Sequence, residues 1–120
     1  MINEERNIIK DKSFKFSLQI IQLYKELQSN KEYVLSKQLL RSGTSIGANV
    51  SESEAAITKK DFIHKLSISS KEARESLYWL ELLEQSRLVD LDYTTYIKNV
   101  KELIRILTSI IKTSQASLKK

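Results

Sequence analysis

Apolar residues recur along this chain at alternating spacings of three and four, which is the period of an amphipathic helix. Four segments carry the pattern, and clusters of Ser, Asn and Asp separate them where Pro and Gly would be usual. The pattern predicts helices over residues 13–28, 32–55, 59–86 and 91–116. Because their connections are short, antiparallel packing of neighbours is favoured. The sequence therefore predicts one all-α domain over residues 1–120, an antiparallel up-down-up-down four-helix bundle with partly disordered termini.

Each predicted helix has an apolar stripe that we expect to face the core. The stripes are Phe16, Ile20, Leu23 and Leu27 in the first helix; Leu35, Leu39, Ser42, Ile46, Val50 and Ser53 in the second; Phe62, Ile63, Leu66, Ser70, Ala73, Leu77 and Leu80 in the third; and Tyr93, Ile97, Val100, Ile104, Leu107 and Ile111 in the fourth. Thr58, followed three residues later by Asp61, resembles a capping box and predicts the start of the third helix. Asp90 or Asp92 can cap the fourth.

The third helix has a second stripe on what the period places as its far side, formed by Ile68, Glu72, Glu75, Trp79 and Leu82. In the fourth helix, Tyr96, Leu103 and Ile110 widen the apolar face. Scattered apolar surface residues are one explanation. The other is a partner on this face, which predicts a homo-oligomer whose interface includes Ile68, Trp79 and Leu82.

The second helix contains two glycines, which cost about 2 kcal/mol of helix propensity relative to Ala. Gly43 and Gly47 stand one turn apart, a spacing that lets another helix approach closely. On the other shoulder lies a polar strip, which we expect to be half-buried and hydrogen-bonded. Two interpretations stay open for it: a network to the third helix, such as Arg41 with Glu75, or a ligand site. The strip consists of Gln38, Arg41, Ser45, Asn49 and Glu52.

Composition narrows the chemistry. The absence of Cys excludes disulfides and thiolate sites. A di-iron site in a helical bundle uses two Glu-x-x-His units, whereas this chain has a single His, in Asp61-x-x-His64. We therefore predict no metal, no cofactor and no enzyme activity, since no nucleophile or cofactor loop is present. With no signal-peptide pattern and no long apolar run, a cytoplasmic protein without membrane contact is expected.

The net charge of +5 comes largely from the carboxyl-terminal end of the chain. Lys112, Lys119 and Lys120 follow the last acidic residue, Glu102. A frayed, solvated tail explains this excess, and a phosphate-binding arm is the alternative.

Specific motifs carry a family resemblance. The second helix reads Arg41-Ser-x-x-Ser45-Ile-x-x-Asn49-Val-x-Glu52, and the third contains Glu72 and Glu75 followed by Tyr-Trp-Leu. Over about residues 12–116 the chain resembles the bacterial four-helix bundle proteins associated with 23S rRNA intervening sequences. Members commonly have Gly after the motif's Glu, where this chain has Ser53, so we expect its second helix to continue past that point.

The resemblance implies an antiparallel bundle that assembles as a ring, with pentamers known among relatives. Similar bundles are accessory proteins of diversity-generating retroelements, where they associate with a reverse transcriptase and nucleic acid. The motif positions in this chain, as the resemblance implies them, are Arg41, Ser45, Asn49, Glu52, Glu72 and Glu75.

Two functional hypotheses follow. The first is a non-enzymatic oligomeric scaffold that binds RNA, or a nucleic-acid-processing protein, through basic surface that includes Lys112, Lys119 and Lys120. The second is a protein-interaction module with no nucleic-acid ligand.

Overall fold

Four helices make up the fold. The computed structural model describes residues 2–119, and its helices are α1 (Ile2–Ser29), α2 (Leu35–Ser53), α3 (Lys59–Ser86) and α4 (Thr94–Leu118). Each helix packs against two others in a ring of four, so α1 lies diagonally across from α3, and α2 from α4. The bundle measures 51 × 21 × 19 Å.

Contacts between neighbouring helices give their direction. Along α1, the residues Glu5, Lys12 and Gln19 meet Ser109, Glu102 and Asn99 of α4 in that order, at 2.8, 3.2 and 2.9 Å. The numbers rise on one helix and fall on the other, so α1 and α4 are antiparallel. Likewise, α2 meets α3 at Ser42 with Ser76 and at Glu52 with Lys65. The predicted all-α antiparallel bundle is confirmed.

The amino-terminal residues differ from the prediction, because α1 begins at Ile2 and not near residue 13. Ile9 is buried in the core, one helical turn before Ser13 and two turns before Phe16. The Arg6 guanidinium carbon lies 4.0 Å from the centre of the Phe62 ring. These contacts order a stretch whose weak apolar pattern hides it from sequence analysis. Met1 and Lys120, the ends of the termini predicted to be partly disordered, lie outside the described residues.

The turn between α1 and α2 is longer than predicted, so the second helix begins at Leu35 and not at residue 32. Lys31 has a φ of 64°, and the backbone N–H of Glu32 bonds to the Leu27 carbonyl at 2.9 Å, which closes α1 with a Schellman turn. The buried Glu32 carboxylate then accepts the N–H groups of residues 34, 35 and 36 at 3.1, 3.1 and 2.6 Å. The N-cap position of α2 is Val34, and the Glu32 side chain, two residues earlier, satisfies the N–H groups at this helix end.

The end of α2 is at Ser53, so the expectation that this helix continues past Ser53 is wrong. The N–H groups of Glu54 and Ala55 bond three residues back, to Ser51 and Glu52. Bonds of this type tighten the last turn without a glycine. The Ser53 hydroxyl, which is buried, donates to the Val50 carbonyl at 2.6 Å.

α3 spans the predicted range, and the Thr58 hydroxyl accepts the Asp61 N–H at 3.0 Å as its cap. α4 begins at Thr94, three residues later than predicted, and continues to Leu118. Asp92 accepts the Thr94 N–H at 3.0 Å. Tyr93, buried before the helix, donates its hydroxyl to the Val89 carbonyl at 2.8 Å and so holds the α3–α4 connection against the core.

The core face of α3 is rotated from the predicted one. Ser69 and Ser76 are buried, whereas Ser70 and Leu77 are only partly buried. The Ser69 hydroxyl donates to the Ile46 carbonyl at 2.8 Å, and the Ser76 hydroxyl lies 2.8 Å from the Ser42 oxygen. Ser69 and Ser76, whose hydroxyls find partners on α2, take core positions that the apolar pattern assigns to the adjacent Ser70 and Leu77.

The wide apolar face of α4 is largely used within one protomer. Leu103 and Ile110 are buried in the core, while Ile97, Ile104 and Ile111 pack partly buried at its edge. The breadth of this face therefore reflects packing between α1 and α3. Within residues 2–119, no helix has the length and apolar character needed to cross a membrane.

Candidate functional site

The motif residues of α2 and α3 form an ion-pair network on the surface. Arg41 Nη1 lies 3.3 Å from both carboxylate oxygens of Glu72, and Arg41 Nη2 donates to Glu75. Glu75 also accepts the indole N–H of Trp79 at 3.0 Å. One arginine thus joins α2 to two successive turns of α3, and the structure contains the expected pair of Arg41 with Glu75.

The electrostatics of this network are those of a fixed charge pair. The hydrogen bond from Arg41, followed by that from the Trp79 indole, lowers the pKa of Glu75 below its ordinary value. The hydrogen bond to Glu75 in turn raises the pKa of Arg41. At neutral pH both groups are ionised and hydrogen-bonded to each other. The arrangement therefore fastens α2 to α3.

The remaining motif residues bond separately. Ser45 donates to the Arg41 carbonyl at 2.6 Å, and Asn49 donates to the Ser45 carbonyl at 2.9 Å. Glu52 pairs with Lys65 of α3 at 2.9 Å, and this contact raises the pKa of Lys65. The six motif residues lie along one α2–α3 seam, but they form two separate ion-pair clusters. The side chains of Ser45 and Asn49, which bond to backbone carbonyls, lie between the two clusters.

The second stripe of α3 lies on its α2-facing flank and not on its far side. Trp79 and Ile68 are partly buried, and both Glu72 and Glu75 face Arg41. The cause is the rotation of the core face toward Ser69 and Ser76. Part of the apolar area of Trp79 is therefore covered within the protomer, and Leu82 is the exposed member of the predicted interface trio.

An exposed apolar surface that the sequence analysis did not identify lies on α1. Phe14, Leu18 and Ile21 are 65%, 50% and 37% exposed. They line one side of a groove of about 670 Å³, and Thr44 and Ala48 of α2 line the other. The signal was present as a second run at spacings of four and three in the first helix. We call these three residues the α1 patch.

Two of the three lysine candidates lie in α4 or at its carboxyl-terminal end. Lys112 is exposed within α4, and Lys119 is the carboxyl-terminal cap residue, whose N–H bonds to the Gln115 carbonyl at 3.2 Å. Lys120 lies outside the described residues. His64 is exposed on α3. In residues 2–119, no group of three or more His, Asp or Glu side chains is placed to hold a metal ion.

Comparisons with known proteins agree with this architecture. A sequence model of the family described as "23S rRNA-intervening sequence protein" matches residues 5–109. A crystal structure of a protein with unknown function from the S23 ribosomal protein family of Bacteroides thetaiotaomicron VPI-5482 superposes with a TM-score of 0.86 at 48% identity. The match covers 90% of this chain and 98% of that one. No curated protein matches the chain.

Proposed function

Because the chain belongs to the family of 23S rRNA-intervening sequence proteins, we propose that it is a non-enzymatic scaffold that assembles into a pentameric ring and binds RNA through basic surface. The α1 patch is the observation that carries the assembly. Large apolar side chains in water lower their free energy when a second surface covers them.

The distribution of apolar surface favours a ring over a two-fold dimer. A ring needs two different, complementary patches on each protomer, whereas a two-fold dimer uses one patch twice. The α1 patch supplies the first surface. The second is the flank of α3 that carries Ile68, Trp79 and Leu82, on the helix diagonally opposite. When two protomers join through these surfaces, one protomer keeps a free α1 patch and the other keeps a free α3 flank. Further protomers can therefore add until the ring closes.

The assembly is tested by light scattering coupled to gel filtration. We expect a mass about five times the protomer mass of 13.9 kDa. Phe14→Ser combined with Leu18→Ser should yield monomers. Ile57→Ser is the matched control, because Ile57 is 95% exposed in the α2–α3 connection and lies outside both patches. A monomeric wild-type protein would overturn the scaffold proposal.

The nucleic-acid part of the proposal rests on the net charge of +5 and on the exposed lysines of α4. A structured RNA should bind with a dissociation constant that rises steeply with salt, because phosphate contacts release counterions. Ring assembly without RNA binding at about 50 mM salt would support the protein-interaction module instead.

A further inference from the structure

The outer face of α4 carries a continuous basic line. Its members stand at spacings of three, four, seven and seven residues, so all point away from the core on one side of the helix. All are exposed. At 1.5 Å per residue the line is about 31 Å long. We call it the α4 basic stripe, and it consists of Lys98, Lys101, Arg105, Lys112 and Lys119.

No acidic residue stands on the line of the stripe, and the acid of α1 that reaches its edge, Glu5, accepts the Ser109 hydroxyl at 2.8 Å. Within the stripe, the intervening positions on the same line are Thr108 and Gln115, and Thr94 precedes the stripe on that line. Glu102, the only acid of α4, points toward α1 and pairs with Lys12. Among residues 2–119, none of the five cations of the stripe forms an ion pair. Six other cations of the bundle do form ion pairs, and these are Lys10, Lys12, Lys15, Arg41, Lys65 and Arg87.

The composition of the stripe selects the class of ligand. It contains no aromatic residue on which an unpaired base could stack, so it lacks the main feature of single-strand binding surfaces. The apolar face of α4 is turned into the core, and of its large apolar side chains Leu118, at the end of the helix, is exposed. One exposed leucine does not make the row of apolar side chains that a membrane-binding helix inserts. What remains is a straight row of cations, which suits a regular line of phosphates.

We propose that the α4 basic stripe binds the phosphate backbone of duplex RNA, without reading its sequence. The choice of RNA rests on the proposed function, and the choice of a duplex backbone rests on the stripe itself. Backbone contacts made by Lys and Arg position a duplex and carry no base information. The stripe adds Lys98, Lys101 and Arg105 to the lysines that the sequence analysis singles out.

The size of the effect follows from counterion release. On a duplex each phosphate contact contributes about 0.9 to the slope of log K against log salt. A stripe that engages all five cations therefore loses about 500-fold in affinity between about 50 and 200 mM salt. With three cations neutralised the loss is about 12-fold over the same range.

The test compares two triple variants of the full chain with the same change in net charge. K101Q/R105Q/K112Q removes the middle of the stripe. K25Q/K31Q/K37Q removes three exposed lysines from α1, the following turn and α2. Binding is measured by fluorescence anisotropy on an RNA hairpin whose stem of about 20 base pairs is longer than the stripe. A duplex DNA of the same sequence, the isolated single strand and anionic vesicles serve as competitors.

We expect the salt dependence to fall to about 12-fold in the stripe variant and to change little in the control. K101R/K112R, which keeps both charges, should behave as the wild type. Equal salt dependence in the two triple variants, with wild-type binding intact, would overturn the stripe and leave the proposed function standing. Competition by vesicles or single strands above that by duplexes would also overturn the stripe. Absence of RNA binding by the wild type would overturn both proposals.

Discussion

Gly43→Ala tests the close approach of α2 to α1. A Cβ at this position would lie 3.0 Å from both Cγ1 and Cγ2 of Ile20. Carbon atoms pack best at about 3.5–4.0 Å, so the new methyl group is too close by roughly half an ångström or more. Ile20 is fully buried, and its branched side chain has little freedom to turn aside.

Two opposing terms set the magnitude. Replacing Gly by Ala within a helix gains about 1 kcal/mol, while overpacking a filled core costs about 1–3 kcal/mol. We expect Gly43→Ala to destabilise the protein by about 1 kcal/mol. In an Ile20→Ala background both Cγ atoms are gone, so the same change should stabilise by about 1 kcal/mol. The coupling energy between the two sites is then about 2 kcal/mol.

The assay is urea unfolding followed by circular dichroism, at one protomer concentration because assembly adds to apparent stability. Gly47→Ala is the control. Its Cβ would meet the Ser13 carbonyl oxygen at 3.2 Å and the Ser17 hydroxyl at 3.3 Å, and not Ile20. Its effect should be the same in both backgrounds. If Gly43→Ala has the same effect with and without the Ile20 side chain, the reasoning from close contact is refuted.

Two further predictions concern polar groups. Fluorescence emission from Trp79, the sole tryptophan, should change with pH at a midpoint below the ordinary glutamate pKa of about 4.3. This step should be absent in Glu75→Gln and present in Glu84→Gln. A midpoint at or above that ordinary value contradicts the prediction. Because the folded-state pKa of Glu75 is lowered, its contribution to stability is present above the unfolded pKa and is lost as the pH falls through the folded one. Ser69→Ala should cost about 1 kcal/mol, since it removes the bond to the Ile46 carbonyl. By contrast, Ser114→Ala should be neutral or stabilising by about 0.5 kcal/mol, since that buried hydroxyl has no partner within residues 2–119. The reverse order of these two serine variants in urea unfolding would contradict the assignment.

The fold could be predicted because it depends on the apolar period, which survives local irregularities. Phe16, Ile20, Leu23 and Leu27 are buried as the period requires. The core face of α3 could not be predicted, because hydropathy does not mark Ser69 and Ser76 as core residues. Their burial depends on acceptors contributed by another helix. The early start of α1 was missed for a similar reason, because Ile9 gains its contacts only in the bundle.

The candidate site was partly predictable. Arg41 and Glu75 are complementary charges on adjacent antiparallel helices, so their pairing follows from topology. The α1 patch was overlooked because its residues lie beside the true core stripe and share its period. The basic residues of α4 were judged by their sum near the end of the chain. Their spacing along the whole helix, starting from Lys98 and Lys101, shows that they share one face, which a sum of charges does not show.

The contacts of α2 also fix the relative heights of two helices that lie diagonally apart. On one side Gly43 is seated against Ile20 of α1. On the other, Ser42 meets Ser76, and Arg41 holds two turns of α3. Sliding α2 along its axis by one residue would break its contacts with α1 and with α3 at the same time. The vertical alignment of the α1 patch with the flank of Trp79 is therefore set by the shortest helix of the bundle.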